Sequence, residues 1–165
     1  MAGDRTHHRN DMKPDDVFRT QLQTTITTLR YWAPLIADAA RVEQKQNADF
    51  FKIALTPFIA SGCPFELILR NDQKYDLAIA GETYEDRRMP SLDRFLPFVE
   101  AITDGSVVRR RYVSRLTGLN RATETLVMLA DGYLWREGRG SVGEVSSLDD
   151  EEAEFIEHRF LPYRR

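Results

Sequence analysis

The sequence predicts an α+β fold: an antiparallel sheet of five or six strands, a long N-terminal helical segment, one inserted helix and a short C-terminal helix. Three observations carry that prediction. Apolar residues recur at three- and four-residue steps from Phe18 to Ala33, the spacing of one helix face. Across residues 64–137 the pattern changes to strand-like alternation, in two blocks at 64–81 and 106–137. Between those blocks, residues 90–105 return to helical spacing.

Taken in order, residues 1–13 are rich in Asp, Arg, Asn and His and offer no apolar face. They read as a disordered tail ahead of a single domain over 14–165. Pro14, Asp15 and Asp16 then open a helix, because acidic residues suit the positive end of its dipole. Phe18, Leu22, Ile26, Leu29 and Ala33 form its apolar stripe, with Gln21, Thr24, Thr28 and Arg30 opposite. Threonines lower helix propensity, so this helix depends on packing. Pro34 kinks or restarts it, and Leu35, Ile36, Ala39, Ala40 and Val42 continue the stripe. Residues 50–58 suit either a buried strand or a last helical turn; we read a strand ended by Pro57, with 59–63 as a turn.

Phe65, Leu67 and Leu69 share one strand face, as do Tyr75, Leu77 and Ile79 after a turn at 71–73. Gly81 marks a bulge or strand end, and 82–88 reads as a charged loop. A helix follows over 91–102, with Pro97 placing its true start near Leu96 and Asp104-Gly105 ending it. Residues 106–116 form a long strand, 122–129 its return, and Asp131-Gly132 a hairpin turn into a strand at 133–137. Residues 138–146 read as a loop. Ser146 or Ser147 then caps a closing acidic helix over 148–158, with Phe155 and Ile156 as its apolar residues.

Composition narrows the function classes. A chain of 165 residues, 42% apolar, builds a core without a disulfide or metal staple. A formal net charge of -3 gives no global reason for a nucleic-acid partner. The one cysteine, Cys63, excludes an intramolecular disulfide and fits a reducing compartment. The polar start is unlike a secretory leader, and no apolar run approaches the roughly 18 residues of a membrane span. We therefore expect a cytoplasmic protein with no membrane partner, no cofactor and no metal.

Three patterns resemble sites. Gly138-Arg139-Gly140-Ser141-Val142-Gly143 has the spacing of a dinucleotide fingerprint, G-x-G-x-x-G. That mechanism needs a helix N-terminus for the pyrophosphate. Here Asp149, Asp150, Glu151 and Glu152 stand at the next helix entrance and would repel it, so the segment reads as a loop. Arg109, Arg110, Arg111, Arg115, Arg121 and Arg136, interleaved with Tyr112, Tyr133 and Trp135, make the later strands basic. Arginines with stacking aromatics can bind single-stranded nucleic acid, but the net charge argues against it.

Alternation places Val108, Arg110, Tyr112 and Leu116 on one face of the long strand, which we take as its core face. Arg109, Arg111 and Arg115 then share the solvent face, where Glu124 or Glu137 could pair with arginines of the group. Glu82 and Glu85, with Asp86, resemble an acid–base pair, although Arg87 and Arg88 neutralise them locally. His7, His8, His158 and Cys63 form no nucleophile arrangement or zinc spacing. The candidate partner- or ligand-binding set is therefore Arg109, Arg111, Arg115, Tyr133, Trp135, Glu82 and Glu85, suited to an acidic protein or a small anion. No catalytic residue is assigned.

The order strand–strand–helix–strand–strand–strand is similar to that of PAS-like sensor domains and, more loosely, of small secretion-chaperone dimers. The resemblance is one of element order alone. The expected function is a non-enzymatic interaction module, a homodimer using its long helix and an exposed sheet face. The first alternative is a small-molecule sensor with a pocket enclosed by Phe65, Leu67, Tyr75, Phe95 and Trp135. The second is an enzyme with an acidic and arginine-lined cleft.

Overall fold

The computed structural model describes residues 14–140 and 153–164. The expected tail, the second half of the fingerprint and residues 148–152 of the expected closing helix lie outside them. The fold is α+β and antiparallel throughout. It holds more strands than the sequence predicts, divided between two sheets.

Helix α1 (Asp15–Trp32) buries Phe18, Leu22, Thr25, Ile26 and Leu29. Pro34 ends it as expected: Ala33–Ile36 tightens into a 3-10 turn. The apolar stripe does not go on as helix. Residues Ala40–Gln46 form strand β1, in which Ala40 and Val42 face inward opposite Pro57 and Leu55. The next strands form a meander: β2 (Phe50–Pro57), β3 (Phe65–Arg70), β4 (Lys74–Ile79) and β5 (Glu82–Arg88). Residues 50–58 are thus strand rather than helix. The side chain of Asn47 holds the β1–β2 turn, its Oδ1 accepting from the amides of Asp49 at 2.8 Å and Phe50 at 3.0 Å.

Residues 82–88, expected as a loop, are an edge strand. Tyr84 alone among them is fully buried, and a bulge interrupts the register opposite Tyr75–Leu77. One inward residue in seven leaves almost no alternation to read. The inner face of this five-stranded sheet (Phe51, Ile53, Leu67, Leu69, Leu77 and their neighbours) packs under α1.

Helix α2 (Phe95–Thr103) starts close to where Pro97 places it, after a short 3-10 turn at Leu92–Arg94. It buries Phe95, Phe98, Val99, Ala101 and Ile102. The second sheet follows, in the order β8-β7-β6-β9: β6 (Val107–Ser114), β7 (Asn120–Met128), β8 (Leu134–Gly140) and β9 (Ala153–Arg159). The closing helix is therefore corrected over its described half. Residues 153–159 pair along their whole length with β6, from Ser114↔Ala153 to Val108↔Arg159. Seven ladder positions outweigh the weak helical spacing of two apolar residues.

Beyond β9 the chain crosses back over the molecule. The amide of Leu161 donates to the Ser61 carbonyl, and that of Tyr163 to the Thr103 carbonyl. The Tyr163 hydroxyl donates to the Cys63 carbonyl, and Arg164 pairs with Asp38. This segment joins the β2–β3 loop, the end of α2 and the 3-10 turn after α1. No helix among the described residues is long and apolar enough to cross a membrane.

Candidate functional site

The second sheet has two faces of different character, and its central strand shows both. In β7, Ala122, Thr123, Glu124, Thr125, Leu126 and Val127 are all buried. Odd-numbered members face the rest of the protein. The row Val107–Val127–Trp135 packs there, with the Trp135 ring stacked on Phe98 at 4.0 Å. Even-numbered members face away from it.

The face assignment for β6 is thereby reversed. Val107 is fully buried and Arg109 lies on its side, while Arg110 and Tyr112 are on the outer face. Tyr112 reads as a core residue in sequence. The deciding contact, Val107 under α2 beside Val127 and Trp135, is non-local.

On the inner face, polar groups stitch the two sheets together. Glu137 Oε1 accepts from the Tyr75 hydroxyl at 2.5 Å, and its Oε2 lies 3.5 Å from Arg87 Nε. The Tyr84 and Thr125 hydroxyls are 3.0 Å apart. Arg109 donates to the Ala80 carbonyl at 2.8 Å, and Arg139 donates to the Thr83 carbonyl. Glu82 is 3.9 Å from Arg139. Burial first, then the hydrogen bond to Glu137, raises the Tyr75 pKa, so this hydroxyl stays protonated. Tyr75, Phe95 and Trp135 stand with ring centroids 5.5–5.6 Å apart, and Phe65 and Leu67 are buried in the same core. The rings fill the space a pocket would need.

The structure places the seven candidate residues in different surroundings. Trp135 is core, while Arg109 and Glu82 belong to the inter-sheet seam. Arg111 and Arg115 are exposed without sharing a partner group with them, and Glu85 is exposed on β5. Tyr133 lies under Arg94, whose guanidinium carbon is 3.7 Å from the ring centroid, at the β7–β8 turn. Cys63 is buried and desolvation pushes its thiol pKa up to about 12, away from the thiolate form that a nucleophile needs.

What the structure does assemble is on the outer face. Glu124, 2% exposed, sits at its centre. Its Oε2 accepts from the Tyr112 hydroxyl at 3.0 Å. Its Oε1 lies 2.5 Å from Arg136 Nε in an ion pair without the alignment of a hydrogen bond. Arg110 donates to Glu157 Oε1 at 2.8 Å, and Arg159 is 3.1 Å from Glu157 Oε2. The Arg110 hydrogen bond, followed by Arg159, holds the Glu157 carboxyl below its ordinary range. The pairing expected for Glu124 with an arginine of the group thus exists, through Arg136, whereas Glu137 takes Arg87 instead.

Apolar side chains stand exposed beside this charged centre. Phe155 is 59% exposed, Met128 48% and Leu134 39%, and all three are on the outer side. Leu126 and Ala122 are buried on this face yet lie apart from the main core cluster. Phe155 belongs to a strand the sequence presents as a helix, which is why this surface escapes a reading of the chain alone.

A concavity of about 540 Å³ runs between α1 and the start of α2. Thr20, Thr24 and Thr28 line it, each hydroxyl donating to the carbonyl four residues back. Leu92, Leu96 and Pro97 line it from the α2 side. Among the described residues no group of three or more His, Cys, Asp or Glu converges to hold a metal ion.

No protein-family model, curated protein or solved structure matches the chain.

Proposed function

We propose that the protein is a non-enzymatic interaction module that self-associates, with the outer face of the four-stranded sheet as its main contact surface and the exposed side of α1 as a second. The observation that carries this reading is the outer face itself. Phe155, Met128 and Leu134 stand open to solvent around a carboxylate that is already buried and paired. The outer face of the five-stranded sheet is a useful contrast. It carries Arg41, Glu43, Lys45, Lys52, Glu66 and Asp76 and is an ordinary solvated surface. Large apolar groups beside carboxylates that are already ion-paired suit a protein contact.

The alternatives have less behind them. A sensor pocket needs room among Phe65, Leu67, Tyr75, Phe95 and Trp135, which instead pack on one another. An enzyme using Glu82, Glu85 and Arg111 needs a free acid, and Glu82 is already beside Arg139 in the seam between the sheets. The test is light scattering of the full chain across a hundred-fold concentration range. A mass that rises to twice the chain mass supports self-association, and a monomer throughout overturns it.

A further inference from the structure

We infer that two copies of the chain join through β9, edge to edge and antiparallel, so that two four-stranded sheets become one sheet of eight. The inference rests on the self-association proposed above and adds to its outer face a second contact, the β9 edge that borders it. The open edges of the two sheets differ. At β1 the side chains are polar and exposed, Arg41, Glu43 and Lys45 among them, which is how natural sheets blunt an edge. The free side of β5 meets the second sheet, where Arg139 takes the Thr83 carbonyl. At β8 the edge carries Arg136 and Arg139 with two glycines, a poor template for pairing with itself.

The β9 edge also carries exposed charges, but two large apolar residues stand open among them. Among the described residues no strand lies on its outer side. It holds Phe155 at 59% and Ile156 at 44% exposure in mid-strand, one on each face. Glu154, His158 and Arg159 are exposed too, so β9 is held mainly by its ladder to β6.

Its charge order suits a second copy. Acid precedes base along the strand, with Glu154 before His158 and Arg159. Antiparallel pairing centred on Ile156 sets Glu154 against the partner's His158 and Ile156 against the partner's Ile156. Glu157 keeps its own Arg110 and Arg159, and no two like charges face each other. A parallel pairing in register would set Glu against Glu. The two outer faces would then run together, bringing each Phe155 within a few residues of the other.

Cysteine cross-linking tests this in the full chain, since Cys63 is buried and unreactive. Directly opposed strand residues have Cβ atoms about 4.5–5.5 Å apart, which a disulfide can bridge with small adjustment. Ile156→Cys should oxidise to a covalent dimer at least ten-fold faster than Phe58→Cys, a control 66% exposed just after β2 and away from both proposed contact surfaces. Ile156→Lys should lower the light-scattering mass from two chains to one with the melting temperature little changed. If wild type is a dimer but Ile156→Cys cross-links no faster than the control, the β9 interface is wrong and self-association survives on another surface. If wild type is a monomer throughout, both fall. Should Ile156→Lys fail to fold, the cross-linking rate decides alone.

Discussion

Glu124 and Arg136 form an ion pair whose two members sit in different surroundings. The carboxylate side chain is 2% exposed and the guanidinium side chain 58%. Removing either partner breaks the same contact, but what is left behind differs. Arg136→Ala strands a buried charge with only the Tyr112 hydroxyl to hold it, at a cost of about 1–3 kcal/mol. Glu124→Gln leaves an arginine that water already reaches and keeps an acceptor for Tyr112, so the loss should stay under about 1 kcal/mol. Urea unfolding of the two variants checks the asymmetry, and equal losses would refute it. The existence of this pair is legible in sequence as a cross-strand acid among arginines. Which arginine it takes depends on the facing of Arg109 and Arg110, and parity in one strand cannot decide that. Val107 decides it, through packing in one row with Val127 and Trp135, twenty and more residues away along the chain.

At the scale of elements, sequence pattern succeeds where one face is apolar and the opposite face is not. It does so for α1, for β3 and β4 with their Phe65–Leu67–Leu69 and Tyr75–Leu77–Ile79 alternation, for α2, and for the Asp131-Gly132 turn. It fails at edges. β1 has two inward residues following a helix, β5 has one, and β9 has almost none buried, so each looks like loop or helix until its neighbour is known. The C-terminal segment is illegible for the same reason, although it binds distant parts together. Gly105 shows how tightly. It ends α2 at φ +82°, and a Cβ there would lie 2.5 Å from the Pro162 amide nitrogen. Gly105→Ala therefore combines a strained backbone with a collision against main chain. It should cost more than about 1 kcal/mol. A substitution at Gly118, which also has positive φ but has nothing within 4 Å of a Cβ, carries the backbone part alone. Comparing the denaturant midpoints of Gly105→Ala and Gly118→Ala separates the two contributions. Equal shifts would mean that the C-terminal segment does not press on the end of α2.

For the molecule as a whole, the buried hydroxyls set a limit on the alkaline side. Tyr75, Tyr84 and Tyr163 have pKa values raised above 10.0, burial being the largest cause for each, and Cys63 is raised from 9.0 to about 12 by the same cause. These groups tie separate parts of the fold together: Tyr75 to Glu137 and Tyr84 to Thr125 across the two sheets, Tyr163 to the β2–β3 loop. In each case the folded chain keeps a proton that the unfolded chain gives up first. Their contribution is thus complete below about pH 9 and falls as pH rises through the unfolded values of thiol and phenol toward the folded ones. Stability to urea should be flat between pH 7 and 9 and then decline. Ionisation of these phenols, read as tyrosinate absorbance, should coincide with loss of near-ultraviolet circular dichroism. Tyr75→Phe should shallow the decline although it weakens the seam at neutral pH, because it removes one of the protons being lost. If that variant loses stability above pH 10 as steeply as wild type, Tyr75 is not among the groups that make the fold sensitive to base, and its hydroxyl reaches solvent more freely than the packing of Phe95 and Trp135 around it implies.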